Sequence, residues 1–207
     1  MPTFDPRPLA LVLHLVYGIV GSWWPARRLR STRGSSTRVD EAQVRAGGLD
    51  SPVALAAGLG RQAHVVLGAV VGNWPLAIGV LESQVVWLAG LVLSVGGISI
   101  AGLAAHQLGP SWRTGVDLDD IGALNTTGLY RLSRHPVIFG EQTLLLGTFL
   151  LLPNALGLCV LVGSIPAVRR IIRAEETIMR RHHGKAFSDY AARTPRLLPR
   201  PRLRLFE

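Results

Sequence analysis

Cysteine and acidic residues are scarce in this 207-residue chain, which has one cysteine and 13 aspartates and glutamates. A single cysteine excludes a disulfide framework and a cysteine-based metal site. Because Cys159 lies inside an apolar run, we expect its side chain to pack. None of the six histidines falls in a His-x-x-x-His or His-Glu-x-x-His pattern, so the sequence predicts no bound metal.

Two common enzyme motifs are missing as well. No Gly-x-Ser-x-Gly elbow is present, which weakens the case for a serine nucleophile. No Gly-x-Gly-x-x-Gly follows a strand-like run, so a Rossmann-type nucleotide site is not predicted. Charged residues make up only 17% of the chain, a proportion that is unusual for a soluble domain.

Apolar residues, in contrast, make up 48% of the chain, and the mean hydropathy is +0.32. The net charge of +9 could by itself indicate a nucleic-acid partner. However, the basic residues fall in blocks between apolar runs, which is typical of a multi-span membrane protein. The sequence therefore predicts an all-α polytopic membrane protein, and no nucleic acid is expected as a partner.

Five apolar runs approach the ~20 residues that a helix needs to cross a bilayer. We interpret the first run as a span rather than a signal peptide, because no clear basic region or cleavage site accompanies it. The second is the later part of a longer apolar stretch, although Asn73-Trp74-Pro75 could instead mark the interface, with the span starting earlier. The last two form a predicted helical hairpin that turns at Pro153-Asn154. The predicted spans are 8–24, 63–81, 85–105, 136–152 and 154–168.

Glycine is frequent in the third predicted span, which carries Gly90, Gly96, Gly97 and Gly102. Small residues allow helices to approach closely in lipid, so we expect these glycines at a helix–helix contact. Beyond the fifth span, the sequence predicts a charged helix that starts at Arg169, and Gly184 is its natural stop or hinge.

The distribution of basic residues predicts the orientation in the membrane. The segments 26–50, 106–135 and 169–207 carry six, three and eleven Lys and Arg residues, and together they hold 20 of the 22 in the chain. Five spans place all three segments on one side, which the positive-inside rule makes the cytoplasmic side. We therefore expect about five transmembrane helices, an external N-terminus and a cytoplasmic C-terminal helical cap.

Several candidate functional groups fall on that predicted cytoplasmic side. Arg134 and His135 precede Pro136, where an apolar run opens, and a Glu175-Glu176 pair lies on the charged helix. These groups suit a zwitterionic ligand, because an arginine binds a carboxylate and a glutamate binds an ammonium or a pair of hydroxyls. The aromatic ring of Tyr130 could cover an adenine or a sulfonium group.

Structural explanations compete with this interpretation. Arg134 and His135 could sit at the level of the lipid headgroups, since proline is a good first residue of a helix. The two glutamates could pair within their own helix with Arg173 and Arg180. Glu141 stands apart, because it lies inside an apolar run, where an ionisable residue usually faces a cavity.

Four segments in this region resemble the isoprenylcysteine carboxyl methyltransferase family and its phospholipid N-methyltransferase relatives. The Arg-His-Pro motif alone is shared with membrane sterol reductases, whereas the Glu-Glu helix and the C-terminal ending favour the methyltransferases. The resemblance covers about residues 106–199. The segments are Gly128-Leu129-Tyr130, Arg134-His135-Pro136, Phe139-Gly140-Glu141 and Arg173-Ala174-Glu175-Glu176, with the ending Thr194-Pro195-Arg196-Leu197-Leu198-Pro199.

The resemblance implies an integral-membrane methyltransferase that uses S-adenosylmethionine, enclosed on the cytoplasmic side. It places Arg170 and Arg173 near the methyl acceptor or the cofactor carboxylate. One departure is Ile138, which stands where the family usually has a tyrosine. The residues that the resemblance assigns to the cofactor are Leu124, Asn125, Thr126, Gly128, Tyr130, Arg134, His135, Pro136, Glu175 and Glu176.

The expected reaction is direct displacement onto a lipophilic acceptor, such as the carboxylate of a prenylcysteine-like or related lipidic small molecule. A carboxylate acceptor needs no general base, whereas an amine acceptor could use Glu141 or His135. The alternatives are a sterol-reductase-like NADPH oxidoreductase and a non-catalytic lipid-binding membrane protein. The predicted regions are 1–105 with the N-terminal spans and basic loop, 106–199 with the methyltransferase core, and 200–207 as a basic tail.

Overall fold

The computed structural model describes residues 5–19, 63–70, 77–108 and 123–197. These residues form five α-helices and two short 3-10 helices with no β-strand among them, which confirms the all-α prediction for the described part. The predicted loop 26–50 and tail 200–207 lie outside the described residues. The α-helices are α1 (Arg7–Tyr17), α2 (63–70), α3 (Gln84–Leu108), α4 (Pro136–Leu151) and α5 (Ala155–Arg193), and the 3-10 helices are Gly79–Leu81 and Gly128–Arg131.

The two helices of the predicted hairpin have clear sequence boundaries. Pro136 is the first residue of α4, where its fixed φ and missing amide hydrogen cost nothing. After the turn at Pro153, the Asn154 side chain accepts a hydrogen bond from the Gly157 amide at 2.8 Å and caps the start of α5. The hairpin at Pro153-Asn154 therefore forms as the sequence predicts.

Helix α5 joins the apolar segment 155–168 and the charged segment that follows into a single long element. The helical geometry breaks at Gly184, where φ is +52° and ψ is −120°, and helical turns then resume up to Arg193. Glycine adopts positive φ without steric cost. Gly184 is therefore a hinge in the helix, as predicted, and we call residues 185–197 beyond it the C-terminal arm.

Close backbone contact joins α3 to α4. A methyl group on Gly97 would lie 2.5 Å from the Leu144 nitrogen and 2.6 Å from the Gly140 oxygen. Gly90 faces Gly147 in the same way, so the predicted contact role is confirmed for Gly90 and Gly97. It is wrong for Gly96, where a methyl group would meet nothing within 4 Å.

The second predicted span does not continue as a helix to residue 81. Ala77 pairs in an isolated bridge with Asn154, and the Ile78 amide donates to the Pro153 carbonyl at 2.9 Å. That carbonyl belongs to the turn between α4 and α5 and needs a donor from outside the helices. Satisfying it keeps residues 77 and 78 extended, so the prediction of one helix over 63–81 is wrong at its C-terminal end.

Large apolar side chains lie exposed along α3, including Val85, Leu88, Val92 and Val95. An extended apolar face of this kind is typical of a helix that contacts lipid. Among the described helices, α3 and α5 are long and apolar enough to cross a membrane, whereas α1 and α4 are shorter. The count of five spans stays a prediction.

Candidate functional site

A polar junction lies where the C-terminal end of α3, the start of α4, the charged part of α5 and the C-terminal arm meet. We define the junction as residues 125–135 with Gln107 and the Glu175-Glu176 pair, together with residues 190–196 of the arm. Many of the residues predicted to form the site fall in it.

The loop before α4 is fixed to the end of α3 by Gln107. The Gln107 side-chain oxygen accepts a hydrogen bond from the Leu129 amide at 2.8 Å, and its backbone oxygen accepts one from Asn125 Nδ2 at 2.9 Å. Gly128 has a φ of +55°, and a methyl group there would lie 2.5 Å from the Gln107 Oε1 atom. Glycine is favoured at this position, because other residues are strained at this positive φ and a methyl group would have to displace the Gln107 side chain.

Tyr130 anchors the same loop from the inside. Its ring is buried, its hydroxyl lies 3.4 Å from the Ala104 oxygen, and its backbone oxygen accepts a hydrogen bond from the Tyr190 hydroxyl at 2.6 Å. Burial raises the pKa of Tyr130, and the Glu175 charge adds to that shift. Burial also raises the pKa of Tyr190 to about 12, against the opposing effect of Arg134. Both phenols therefore stay neutral and structural at physiological pH.

The segment that precedes α4 pairs with the C-terminal arm through the backbone. The Arg134 amide donates to the Pro195 oxygen at 2.9 Å, and the His135 amide donates to the Arg196 oxygen at 3.2 Å. The Ser133 hydroxyl donates to the same Arg196 oxygen at 2.9 Å. The ending noticed in the sequence is therefore in direct contact with the Arg-His-Pro motif.

Each nitrogen of the Arg134 guanidinium has a hydrogen-bond partner within the protein. Its Nη1 atom donates to the backbone oxygens of Ala191 and Thr194, both at 2.6 Å. Its Nε and Nη2 atoms donate to Glu176 Oε1 at 3.0 and 2.7 Å. The structure thus gives Arg134 protein partners in place of the ligand carboxylate for which it was a candidate.

Glu176 accepts charge-assisted hydrogen bonds from two arginines. Besides Arg134, the Arg196 Nη2 atom approaches Glu176 Oε2 at 2.8 Å. Burial alone would raise the pKa of Glu176, but the contacts with His135, Arg196 and Arg134 outweigh it and lower the pKa. The alternative that Glu176 pairs within its helix with Arg173 or Arg180 is wrong, because its partners come from outside α5.

His135 lies between the two glutamates. Its Nδ1 atom is 3.0 Å from Glu175 Oε2, and its Nε2 atom is 3.5 Å from Glu176 Oε1. Burial would lower the pKa of His135, but the two carboxylates overcome this effect and raise it. The glutamates therefore favour a charged imidazole that is held from both sides.

Arg170 and Arg173, the other arginines expected at the site, are exposed on α5. Within the part of the chain that the structure describes, neither makes an ion pair. They lie just beyond the apolar segment 155–168, whereas the junction contacts Glu176 on the buried side of the same helix. The structure does not bring these two arginines into the junction.

Glu141 lies on α4 and receives a hydrogen bond from the Tyr17 hydroxyl of α1. Tyr17 is buried in a core cluster with Ile98, Ala101 and Leu144. The sequence analysis missed Tyr17, because 124 residues separate it from Glu141 and no local pattern links them. It also missed the anchoring role of Gln107, although that side chain closes an otherwise apolar helix.

The fold and the site together define a class of protein: a helical protein with helices long and apolar enough to cross a membrane and a polar junction at their ends. Residues 85–186 match the family model described as Phospholipid methyltransferase, a family of integral-membrane methyltransferases. The match covers just under half of the chain and gives the family that the sequence resembles, so the resemblance is confirmed over residues 85–186. A search of curated proteins found no significant match.

The family match contains α3, the junction loop, α4 and most of α5. It leaves out α1 with Tyr17 and the end of the arm with Tyr190 and Arg196. The family implies methyltransferase activity on lipid-type substrates. Two parts of the site therefore come from residues outside the matched segment.

Proposed function

We propose that the protein transfers a methyl group from S-adenosylmethionine to a lipidic acceptor in the membrane. The observation that carries the proposal is the His135–Glu175 pair, held at the start of an apolar helix inside the family segment. We also propose that the chain spans the membrane several times, with the junction on the cytoplasmic side. The distribution of basic residues supports that orientation.

The residues of the junction fit the methyl donor. Glu175 remains 37% exposed, and only its Oε2 atom is held by His135, so its carboxylate is open to a hydroxyl or ammonium donor. In the loop of the same junction, Asn125 Nδ2 donates to the Gln107 backbone oxygen, and the Thr127 amide donates to Asn125 Oδ1. The cofactor residues that we retain for this proposal are Leu124, Asn125, Thr126, Gly128, Tyr130, His135, Pro136 and Glu175.

S-adenosylmethionine, when bound, supplies a methyl group that its sulfonium charge already activates. The protein then has to align an acceptor with that group and exclude water. His135 and Glu176 are only 10% and 4% exposed, so the inner wall of the junction is already shielded. An acceptor that carries a lipid tail would approach along the apolar helices.

The chemistry of the acceptor decides which other residues take part. A carboxylate acceptor is already nucleophilic and needs only a cation nearby, for which Arg170 and Arg173 are available at the end of the apolar segment. An amine acceptor must lose a proton, and Glu141 could receive it. In that case Tyr17 keeps the Glu141 carboxylate in place. The carboxylate of a prenylcysteine-like molecule remains the proposed acceptor.

Titrating the purified protein in detergent with S-adenosylmethionine and, separately, with NADPH tests the proposal. We expect binding of S-adenosylmethionine, no binding of NADPH, and weaker binding of S-adenosylmethionine by Glu175→Gln. Transfer of a labelled methyl group to a prenylcysteine analogue or to an aminophospholipid then identifies the acceptor. Binding of NADPH alone would show an oxidoreductase, and binding of neither ligand would favour a non-catalytic lipid-binding protein.

A further inference from the structure

Glu175 and Glu176 are neighbours in sequence but lie in different surroundings. The Glu175 side chain is 37% exposed and touches one titratable partner, His135. The Glu176 side chain is 4% exposed and lies against His135, Arg134 and Arg196. Consecutive residues of an α-helix point about 100° apart, so one glutamate faces the open side of the junction and the other faces its interior.

Both oxygens of Glu176 are occupied by arginines. Oε1 accepts from Arg134 at 2.7 Å, and Oε2 accepts from Arg196 at 2.8 Å. The Arg196 Nε atom also lies 3.1 Å from each oxygen. A carboxylate with these partners has little capacity left for a ligand, and a ligand that displaced one arginine would leave that charge unpaired.

The arginines come from two different segments, so Glu176 of α5 connects three parts of the chain. Arg134 belongs to the loop before α4, and Arg196 belongs to the C-terminal arm beyond the Gly184 hinge. The backbone oxygen of Arg196 also accepts a hydrogen bond from the His135 amide at 3.2 Å. Glu176 therefore holds the arm against the segment that carries His135.

We propose that the two glutamates have separate roles. Glu175 contacts the methyl donor beside His135, whereas Glu176 is a positioning residue that, with Arg134 and Arg196, fixes the arm and the orientation of His135. The role of Glu175 rests on the proposed function, and the role of Glu176 does not. Arg196 lies outside the segment that matches the family, so this inference adds a residue of the arm to the site.

Arg134 and Arg196 should contribute unequally to the stability of the junction. Arg134 is 9% exposed and also binds two backbone oxygens, whereas Arg196 is 54% exposed. An exposed partner is solvated, and its ion pair contributes less. We therefore expect loss of Arg196 to loosen the arm without unfolding the junction, which makes it a suitable position for a test.

The test uses two isosteric variants, Glu175→Gln and Glu176→Gln, in the full-length protein in detergent. The thermal midpoint without ligand and the dissociation constant for S-adenosylmethionine are measured for each. Glu176→Gln should lower the thermal midpoint strongly, whereas Glu175→Gln, which loses only the partly exposed contact with His135, should lower it much less. Glu175→Gln should weaken binding about tenfold or more, which corresponds to the loss of one charge-assisted hydrogen bond.

Variants of the arm provide the control. Arg196→Ala should lower the thermal midpoint and weaken binding, and Arg196→Lys should restore much of both because it keeps the ion pair. Arg193→Ala should change neither, since the Arg193 side chain only donates to the Asp189 oxygen of its own helix. Equal effects of Arg196→Ala and Arg193→Ala would overturn the role of the arm.

The outcomes separate this inference from the proposed function. If the wild-type protein bound no S-adenosylmethionine, the proposed function and the role of Glu175 would both fail. The thermal midpoints of Glu176→Gln and Arg196→Ala would still decide the positioning role. If Glu175→Gln and Glu176→Gln lowered the thermal midpoint equally, or weakened binding equally with no change in midpoint, the division of roles would be wrong.

Discussion

The α3–α4 interface and the junction are neighbouring parts of one structure with opposite chemistry. In the interface, Gly97 and Gly140 bring two backbones together. In the junction, Arg134, His135 and Glu176 meet almost out of contact with water. The first depends on shape and the second on charge, so the two should respond to different perturbations.

Removing the Arg134 side chain should cause the largest loss in the free energy of unfolding. The side chains of Arg134 and Glu176 are 9% and 4% exposed, so Arg134→Ala removes the more buried of the two arginines that pair with this buried carboxylate. Breaking a buried ion pair in this way typically costs about 3–5 kcal/mol. Chemical denaturation in detergent would measure the loss, with Arg131→Ala, an exposed arginine in the same loop, as the control. Equal stability of the two variants would contradict the role of the ion pair.

The second largest loss of stability should come from adding one methyl group to the α3–α4 interface. In Gly97→Ala the new methyl group meets backbone atoms of α4, and overpacking of this kind costs about 1–3 kcal/mol. Gly96→Ala provides a matched control one residue away, because its methyl group meets nothing within 4 Å. A lower thermal midpoint for Gly97→Ala alone is expected. If both variants behaved alike, the close contact of α3 with α4 would be wrong.

The pH dependence of the thermal midpoint should come from the junction and not from the α3–α4 interface. The two carboxylates raise the pKa of His135 in the folded protein, so its charge stabilises the junction below its unfolded value of about 6.5. That stabilisation is lost as the pH rises through the higher folded value. The thermal midpoint should therefore fall over this range in the wild type and fall less in His135→Gln. Gly97→Ala should keep the wild-type pH dependence.

The smallest effect should come from Tyr17→Phe, which removes only the hydroxyl that Glu141 accepts. Hydrogen bonds between helices in a membrane contribute about 0.6 kcal/mol on average. The stability should therefore change little, whereas methyl transfer to an amine acceptor should slow if Glu141 receives the proton. Unchanged rates with an amine acceptor in both Tyr17→Phe and Glu141→Gln would exclude that role.

Local features of the structure could be predicted well from the sequence. Pro136 and the Pro153-Asn154 turn fix the ends of α4, and Gly184 breaks α5, because each acts through its own backbone geometry. The Arg-His-Pro motif and the Glu-Glu pair also come together, as expected. These predictions depend on residue type and spacing, which the sequence contains.

Long-range partners could not be predicted in the same way. The contacts of Tyr17 with Glu141 and of Arg196 with Glu176 depend on how helices and the arm pack. The apolar pattern of residues 63–81 indicated one helix, but the Ile78 amide instead donates to the Pro153 oxygen of a distant turn. Glu175 and Glu176 could not be distinguished from the sequence, because the difference between them is the burial of their side chains.

The most direct test of the central claim is the dissociation constant for S-adenosylmethionine, measured by calorimetry for the wild type and for Glu175→Gln. If the open side of the junction binds the methyl donor, the wild type should bind it, and Glu175→Gln should bind it about tenfold more weakly or worse while its thermal midpoint falls less than that of Glu176→Gln. No binding by the wild type, or equal binding by the two proteins, would contradict the claim.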